Sequence, residues 1–319
     1  MELTNFDDII KNSKKIMIVS HVNPDGDTLG SMCALAHAIY LRHKIKPDMQ
    51  VLSNIPANYE FLPGIGNAKR NYDKSLVYDL VISVDVASKE RLCDAVVFFD
   101  KAKTTVNFDH HKTNNGFGDY SLIVPDASST GEVLHYFFKE NNWKIDYDTA
   151  VCLYVAIMTD TGGFRFENTT ASAFRAAADL LEVGINPNIL YKKCYETKSK
   201  NLVQFQNYCV DKAVFSEDES IVYTTVFKKD LERFKGGDDF TDGISETLRS
   251  IDKTDIAFVV KEVDAKTSKI SMRSKKTDVA KICAAFNGGG HTFAAGCTIK
   301  SDVKTAVKKL LAEIEKGSV

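Results

Sequence analysis

No two cysteines in this 319-residue chain are spaced Cys-x-x-Cys, and the seven present (Cys33, Cys93, Cys152, Cys194, Cys209, Cys283 and Cys297) are an odd number. The sequence therefore offers neither a disulfide framework nor a cysteine zinc site, which implies a reducing cytosol. Surplus positive charge is missing too. Lys and Arg number 41 against 43 Asp and Glu, a formal charge of −2, which excludes a groove that holds long nucleic acid through many phosphate contacts. A small anionic substrate fits, because a local cationic pocket is invisible in a net sum. No apolar run approaches the roughly 18 residues of a membrane span. The opening segment, Met1 to Asp8, lacks the basic-then-apolar pattern of a signal peptide. A soluble cytoplasmic protein without a membrane partner is the expectation, its oligomeric state left open, a homodimer included.

The length exceeds one average domain, and 44% hydrophobic with 26% charged residues is ordinary globular composition, so two domains are expected. In the first half, β-branched apolar runs at Ile16–Val19, Leu80–Val84 and Thr104–Val106 alternate with helical periodicity. That alternation predicts an α/β domain over residues 1–185 with a mostly parallel sheet flanked by helices. Leu29, Met32, Cys33, Ala36 and Tyr40 outline one helix with Thr28 as its cap, and the run Ala150–Met158 reads as a buried helix. Residues 186–206 read as a helical linker. Beyond it, strands at Ile221–Val226, Ile256–Val263 and Lys269–Arg273, with helices near 242–251, 278–286 and 303–315, predict a smaller α+β mixed-sheet domain over 207–319.

What the sequence has in unusual concentration is oxygen and imidazole donors. His21, Asp25 and Asp27 leave one turn after the first strand, Asp85 follows Leu80–Val84, Asp109-His110-His111 follow the third strand, and Asp160 follows the buried helix. Ligands of open α/β sheets collect beyond the carboxyl ends of the strands, so residues remote in sequence are expected to converge there. Alone, Asp85 or Asp160 reads as an ordinary cap or turn former. His37, His43 and His135 lie on predicted helices without an acidic cluster beside them. Together, three strand-end clusters of one chemistry point to a pair of divalent cations with Asp85 placed to bridge them. Such a pair, about 3.5–4 Å apart, suits phosphoryl transfer by lowering the pKa of a water and stabilising both attacking and leaving oxygens. Oxygen ligands favour Mg²⁺ or Mn²⁺ and the imidazoles tilt the choice to two Mn²⁺, with Mg²⁺ or Co²⁺ as substitutes. In the second half, Arg273 on a strand and the run Gly288, Gly289, Gly290, His291 suggest a phosphate-binding surface, the glycines as a loop of converging N–H groups.

These motifs resemble those of the DHH-family phosphoesterases over nearly the whole chain, and the C-terminal part resembles the DHH-associated domain. The nanoRNase (oligoribonuclease)/pAp-phosphatase branch is the most similar, through Thr159 to Gly162 followed by Phe164-Arg165-Phe166, and through Ser128 to Glu132, where Ala in place of Gly131 reads as a minor change. The resemblance implies His21, Asp25 and Asp85 on one ion and Asp27, Asp85, His110 and Asp160 on the other. It further implies Asp109 supporting His110, His111 facing the scissile phosphate, and Arg273 and His291 holding a substrate phosphate or terminal nucleotide. The implied activity is hydrolysis of very short oligoribonucleotides to mononucleotides and of 3′-phosphoadenosine 5′-phosphate (pAp) to AMP. Cyclic di-AMP or linear diadenylate (pApA) cleavage is the alternative.

Overall fold

Strand β1 (Ile16–Val19) is buried at every position, as a strand covered on both faces must be. It lies inside a six-stranded sheet with β2 (Asp48–Gln50), β3 (Ala68–Lys69), β4 (Leu80–Val84), β5 (Thr104–Asp109) and β6 (Tyr120–Ile123), in the order β3-β2-β1-β4-β5-β6. All neighbours run parallel, as the alternating pattern predicts. The pleat divides the side chains: Ile16, Ile18, Leu80 and Ile82 join one core, Met17, Val19 and Val81 the other. The computed structural model describes residues 5–317, and the chain separates into two compact units, Met1–Thr197 and Lys198–Val319.

Helices α1 (Phe6–Lys11), α2 (Gly26–His43), α3 (Val96–Lys101), α4 (Thr130–Glu140), α5 (Tyr147–Asp160) and α6 (Ala171–Glu182) surround the first sheet. The chain leaves β1 toward β2 on one side, while β4 flanks β1 on the other. The carboxyl ends of β1 and β4 therefore border a topological switch point, the crevice where open sheets bind ligands.

The predicted linker is not one helix. Asn186 caps α7 (Pro187–Tyr191), a π-helical turn spans Lys192–Glu196, and Thr197 leaves helical geometry at φ −102°, ψ 71°. Ser199 then starts α8 (Lys200–Asp211), its side chain accepting from Leu202 N at 3.1 Å. Two capping residues within fourteen positions give the backbone a new start that periodicity alone does not register.

The second unit holds a mixed sheet of β7 (Val214–Phe215), β8 (Ile221–Val226), β9 (Ile256–Asp264), β10 (Thr267–Arg273), β11 (Gly289–His291) and β12 (Ala294–Ile299), ordered β11-β12-β10-β9-β8-β7. Helices α9 (Lys228–Arg233), α10 (Ile244–Arg249), α11 (Val279–Ala284) and α12 (Val303–Gly317) complete it. Residues of α11 and α12 pack with Ile270 and Met272 on one face, while Phe205 of α8 and Leu248 of α10 pack with Ala257 and Val259 on the other.

His37, His43 and His135 each meet an acid: Asp146 at 3.2 Å, Asp7 at 2.9 Å and Asp179 at 3.3 Å. His135, fully buried on α4, has both ring nitrogens outside hydrogen-bonding geometry. Burial outweighs the attraction of Asp179 and lowers its pKa to about 4. Its folded pKa lies below the unfolded value, so it costs nothing above pH 6.5 and progressively destabilises as pH falls toward 4. His135→Gln should reduce the loss of unfolding free energy between pH 7 and 4, by up to about 3 kcal/mol, in urea titrations at the two pH values.

Candidate metal centre

Past the end of β1, His21 is buried and its Nδ1 lies 2.7 Å from Val22 O. That contact places the ring proton on Nδ1 and leaves Nε2 as the donor atom facing Asp85 Oδ2 at 3.4 Å. The helix after it starts earlier than expected. Asp25, not Thr28, is the cap of α2, its side chain accepting from Thr28 N at 3.0 Å. Thr28 instead turns its hydroxyl into the cluster, 2.6 Å from Asp85 Oδ2 and 2.7 Å from His21 Nε2.

Asp85 sits one residue past β4, 2% exposed and at φ 59°, a left-handed conformation that asparagine and aspartate tolerate best among residues with a Cβ. The twist is fixed by its own N–H bond to Phe108 O at 2.9 Å. Thr130 donates to Oδ1 at 3.2 Å. At the end of β5 the expected pairing is exchanged. Asp109 Oδ1 lies 2.7 Å from His111 Nδ1, so the buried aspartate orients His111 rather than His110. His110 is oriented by Ala127 O, 3.2 Å from its Nδ1. Adjacent residues of an extended segment point opposite ways, whereas Asp109 and His111 share a side. Asn114 locks the arrangement from below, its amide within 2.6 Å of Asp109 Oδ2 and 2.7 Å of Asn107 Oδ1.

Asp27, 1% exposed, is held by the start of α4: Thr130 N donates to Oδ2 at 2.7 Å and Gly131 N to Oδ1 at 2.9 Å. A helix N-terminus is a ready seat for a carboxylate. This is the physical role of the Ser128–Glu132 motif, where Ser129 caps the helix and Glu132 Oε2 accepts from Ser128 N and Oγ at 2.7 and 2.6 Å. Alanine at position 131 is no minor change in this chain, because a Cβ there would lie 2.4 Å from Ala156 Cβ. Gly131→Ala should destabilise the protein by about 1–3 kcal/mol in urea unfolding, and adding Ala156→Gly should recover most of that loss.

Close approach of the helices brings the remaining acid in. A Cβ on Gly26 would meet Thr159 at 2.3 Å and one on Gly30 would meet Cys152 O at 2.5 Å, so α2 lies directly against α5. Asp160, at the end of α5, reaches His110 Nε2 at 3.6 Å. The same nitrogen is 3.8 Å from Asp27 and 3.7 Å from Asp85. Asn168 steadies Asp160 by donating to its backbone oxygen at 3.1 Å, with Oδ2 at 3.3 Å.

Three groups thus have donor atoms within 4.8 Å of one another: His21, Asp25 and Asp85; Asp85, His110 and His111; and Asp27, His110 and Asp160. All six predicted ligands are among them. Burial and the charges of Asp85, Asp160 and Asp25 push Asp27 well above the usual carboxylate range, and burial with Asp25 and Asp85 does the same to Asp160. Burial opposes ionisation of Asp85 too, but His21, His111 and His110 around it hold its carboxyl far below that range. His111, against the effect of burial, is raised to about 9 by Asp109 and Asp85. A bound cation would let these crowded, mostly buried carboxylates ionise together. Hard oxygens with two or three imidazoles fit Mn²⁺ or Mg²⁺. Asn114 and Asn168 carry no sequence signal, since polar residues that position ligands have no spacing rule, and for the same reason the contacts of Thr28 and Thr130 with Asp85 are not legible in the sequence. The Ser129-x-x-Glu132 spacing is the one signal that could locate the start of α4.

In the second unit, Arg273 and His291 are both opposite Ala294 of β12, in β10 and β11 respectively. They share a sheet face on one line across three strands. Glu246 accepts from Arg273 Nε at 2.8 Å. The glycine run is not the predicted loop. Gly289–His291 form β11, and a Cβ on Gly288 would meet Gly296 O at 2.3 Å, so glycine there serves close strand packing.

Comparison with known proteins matches residues 15–157 to the model of the DHH family, N-terminal domain, and residues 219–316 to the DHHA1 domain. The chain is 28% identical over 306 residues, 94% of its length and 93% of the relative's, to a Bacillus subtilis protein named bifunctional oligoribonuclease and PAP phosphatase NrnA. It is 26% identical over 301 residues to a Thermus thermophilus protein of the same name, covering 94% and 89%. The crystal structure of an exopolyphosphatase-related protein from Bacteroides fragilis superposes with a TM-score of 0.91 at 25% identity, covering 98% of this chain and 95% of that one.

Proposed function

The chain belongs to the DHH family of phosphoesterases, and from that premise we propose that it hydrolyses both phosphodiesters and phosphomonoesters, degrading very short oligoribonucleotides to mononucleotides and converting pAp to AMP. The observation that supports this reading is the set of three donor groups at the carboxyl ends of the first sheet, two of them sharing Asp85. In this reading His21, Asp25 and Asp85 hold one divalent cation, and Asp27, Asp85, His110 and Asp160 a second. Two Mn²⁺ would supply an activated water at neutral pH and offset charge on the phosphate.

The chain's own side chains do the rest. Asp109 fixes the His111 ring through Nδ1 and, in the cation-free cup, favours its protonated form. His111 can then donate to a phosphate oxygen as its charge grows in the transition state. Asn114 keeps Asp109 from turning away. In the second unit, Arg273 and His291, on one face of the sheet, would anchor a substrate anion, the guanidinium pre-set by Glu246.

Turnover of two- to five-nucleotide RNAs, pAp, linear diadenylate and cyclic di-AMP, measured side by side with Mn²⁺ supplied, tests the assignment. The dinucleotide RNA and pAp should be turned over fastest. Exclusive cleavage of cyclic di-AMP or of linear diadenylate would replace it.

A further inference from the structure

Just beyond Asp160 the backbone takes three successive positive φ angles, at Gly162 (59°), Gly163 (73°) and Phe164 (63°). The turn folds back until Phe166 N reaches Thr161 O at 3.0 Å. Two aromatic rings flank the glycine pair. A Cβ on Gly162 would lie 2.4 Å from Phe166 Cζ, and one on Gly163 would lie 3.2 Å from Tyr191 Cε2. Neither ring is buried, for Phe166 is 41% and Tyr191 38% exposed, although apolar rings of this size normally leave water. Tyr191 is set by the π-helical turn that follows it, which brings the Tyr195 ring to 4.9 Å. Arg165 adds a cation, its Nε bonded to Gly162 O at 2.7 Å and its guanidinium 5.9 Å from the Phe166 ring centre. Asn168 ties this loop to the Asp160 carboxylate.

We infer that Phe166 and Tyr191, with Arg165 beside them, form a stacking subsite for the nucleobase of a nucleotide whose phosphate lies against the cation that Asp160 would help to hold. The inference rests on the phosphoesterase reading for that phosphate. The occupant follows from the chemistry. A nucleobase offers a flat π face to rings and guanidinium alike, and stacking tolerates every base, as a degrader of mixed fragments requires. An apolar peptide would gain nothing from the guanidinium and would find no reason to sit beside a cluster of carboxylates.

Calorimetric binding of AMP and of ribose 5-phosphate, with Mn²⁺ present, separates the base from the phosphate. The wild type should bind AMP more tightly than the sugar phosphate. Phe166→Ala and Tyr191→Ala should each weaken AMP about 5- to 100-fold while leaving ribose 5-phosphate unchanged. Phe166→Leu, which keeps apolar packing on Gly162, should lose AMP affinity like the alanine variant, and Phe166→Trp should retain it. Equal weakening of both ligands, or no weakening of AMP, would overturn the subsite. Failure of the wild type to hydrolyse RNA or pAp would instead remove the functional reading and leave the binding result to stand alone.

Discussion

Asp85→Asn is expected to lower kcat by about 10³-fold or more on dinucleotide RNA, with far-ultraviolet circular dichroism unchanged. Asparagine is the informative replacement. It keeps the side-chain shape and accepts the left-handed backbone at φ 59°, whereas alanine would add conformational strain. The loss arises because Asp85 belongs to two of the three donor groups, so one substitution removes its negative charge from both of them. Several kcal/mol of charge stabilisation go with it, and each 1.36 kcal/mol is tenfold in rate. Calorimetric titration should show Mn²⁺ affinity falling in parallel. A variant with wild-type turnover would end the dinuclear proposal.

Chelation is expected to bring hydrolysis to background and to lower the melting temperature by about 5–10 °C relative to protein saturated with Mn²⁺. A cation held at 100 times its dissociation constant adds about 2.7 kcal/mol, which for a unit of this size is several degrees. The crowding of Asp27, Asp85 and Asp160 around His110 makes the cation-free cup the source of this loss. Neutralising one of its acids should therefore be favourable without metal. Asp160→Asn should raise the melting temperature of the chelated protein while reducing the gain on adding Mn²⁺. Readdition should restore activity in the order Mn²⁺ above Mg²⁺, with Co²⁺ also effective and Zn²⁺ poor. A melting temperature indifferent to every divalent cation would refute the ligand assignment.

Most of the framework could be read from the residues. Ile221–Val226 is a strand from its first to its last predicted residue, and Ile16–Val19 and Leu80–Val84 are equally so, because continuous β-branched runs leave little choice. Short strands such as Asp48–Gln50 and Ala68–Lys69 carry too few side chains for a period to show. The same holds at the metal centre. The charged donors announce themselves by type and by their place after a strand, so all six converge as predicted. Their partners do not. Hydrogen bonding follows side-chain direction, which adjacency in sequence conceals, so Asp109 supports His111 and not the His110 that the family resemblance implies, and the Thr28 hydroxyl suits a helix cap as well as the contact it makes with Asp85. The glycine run misled in the opposite direction, its lack of side chains serving a strand pair rather than a loop.

The contact of α2 with α5 sets how closely Asp27 and Asp160 approach. Their backbones ride on two rods pressed together at Gly26 and Gly30, with a third rod abutting at Gly131. Three missing methyl groups therefore hold the acids at their separation, and any side chain larger than hydrogen at these positions would wedge the rods apart.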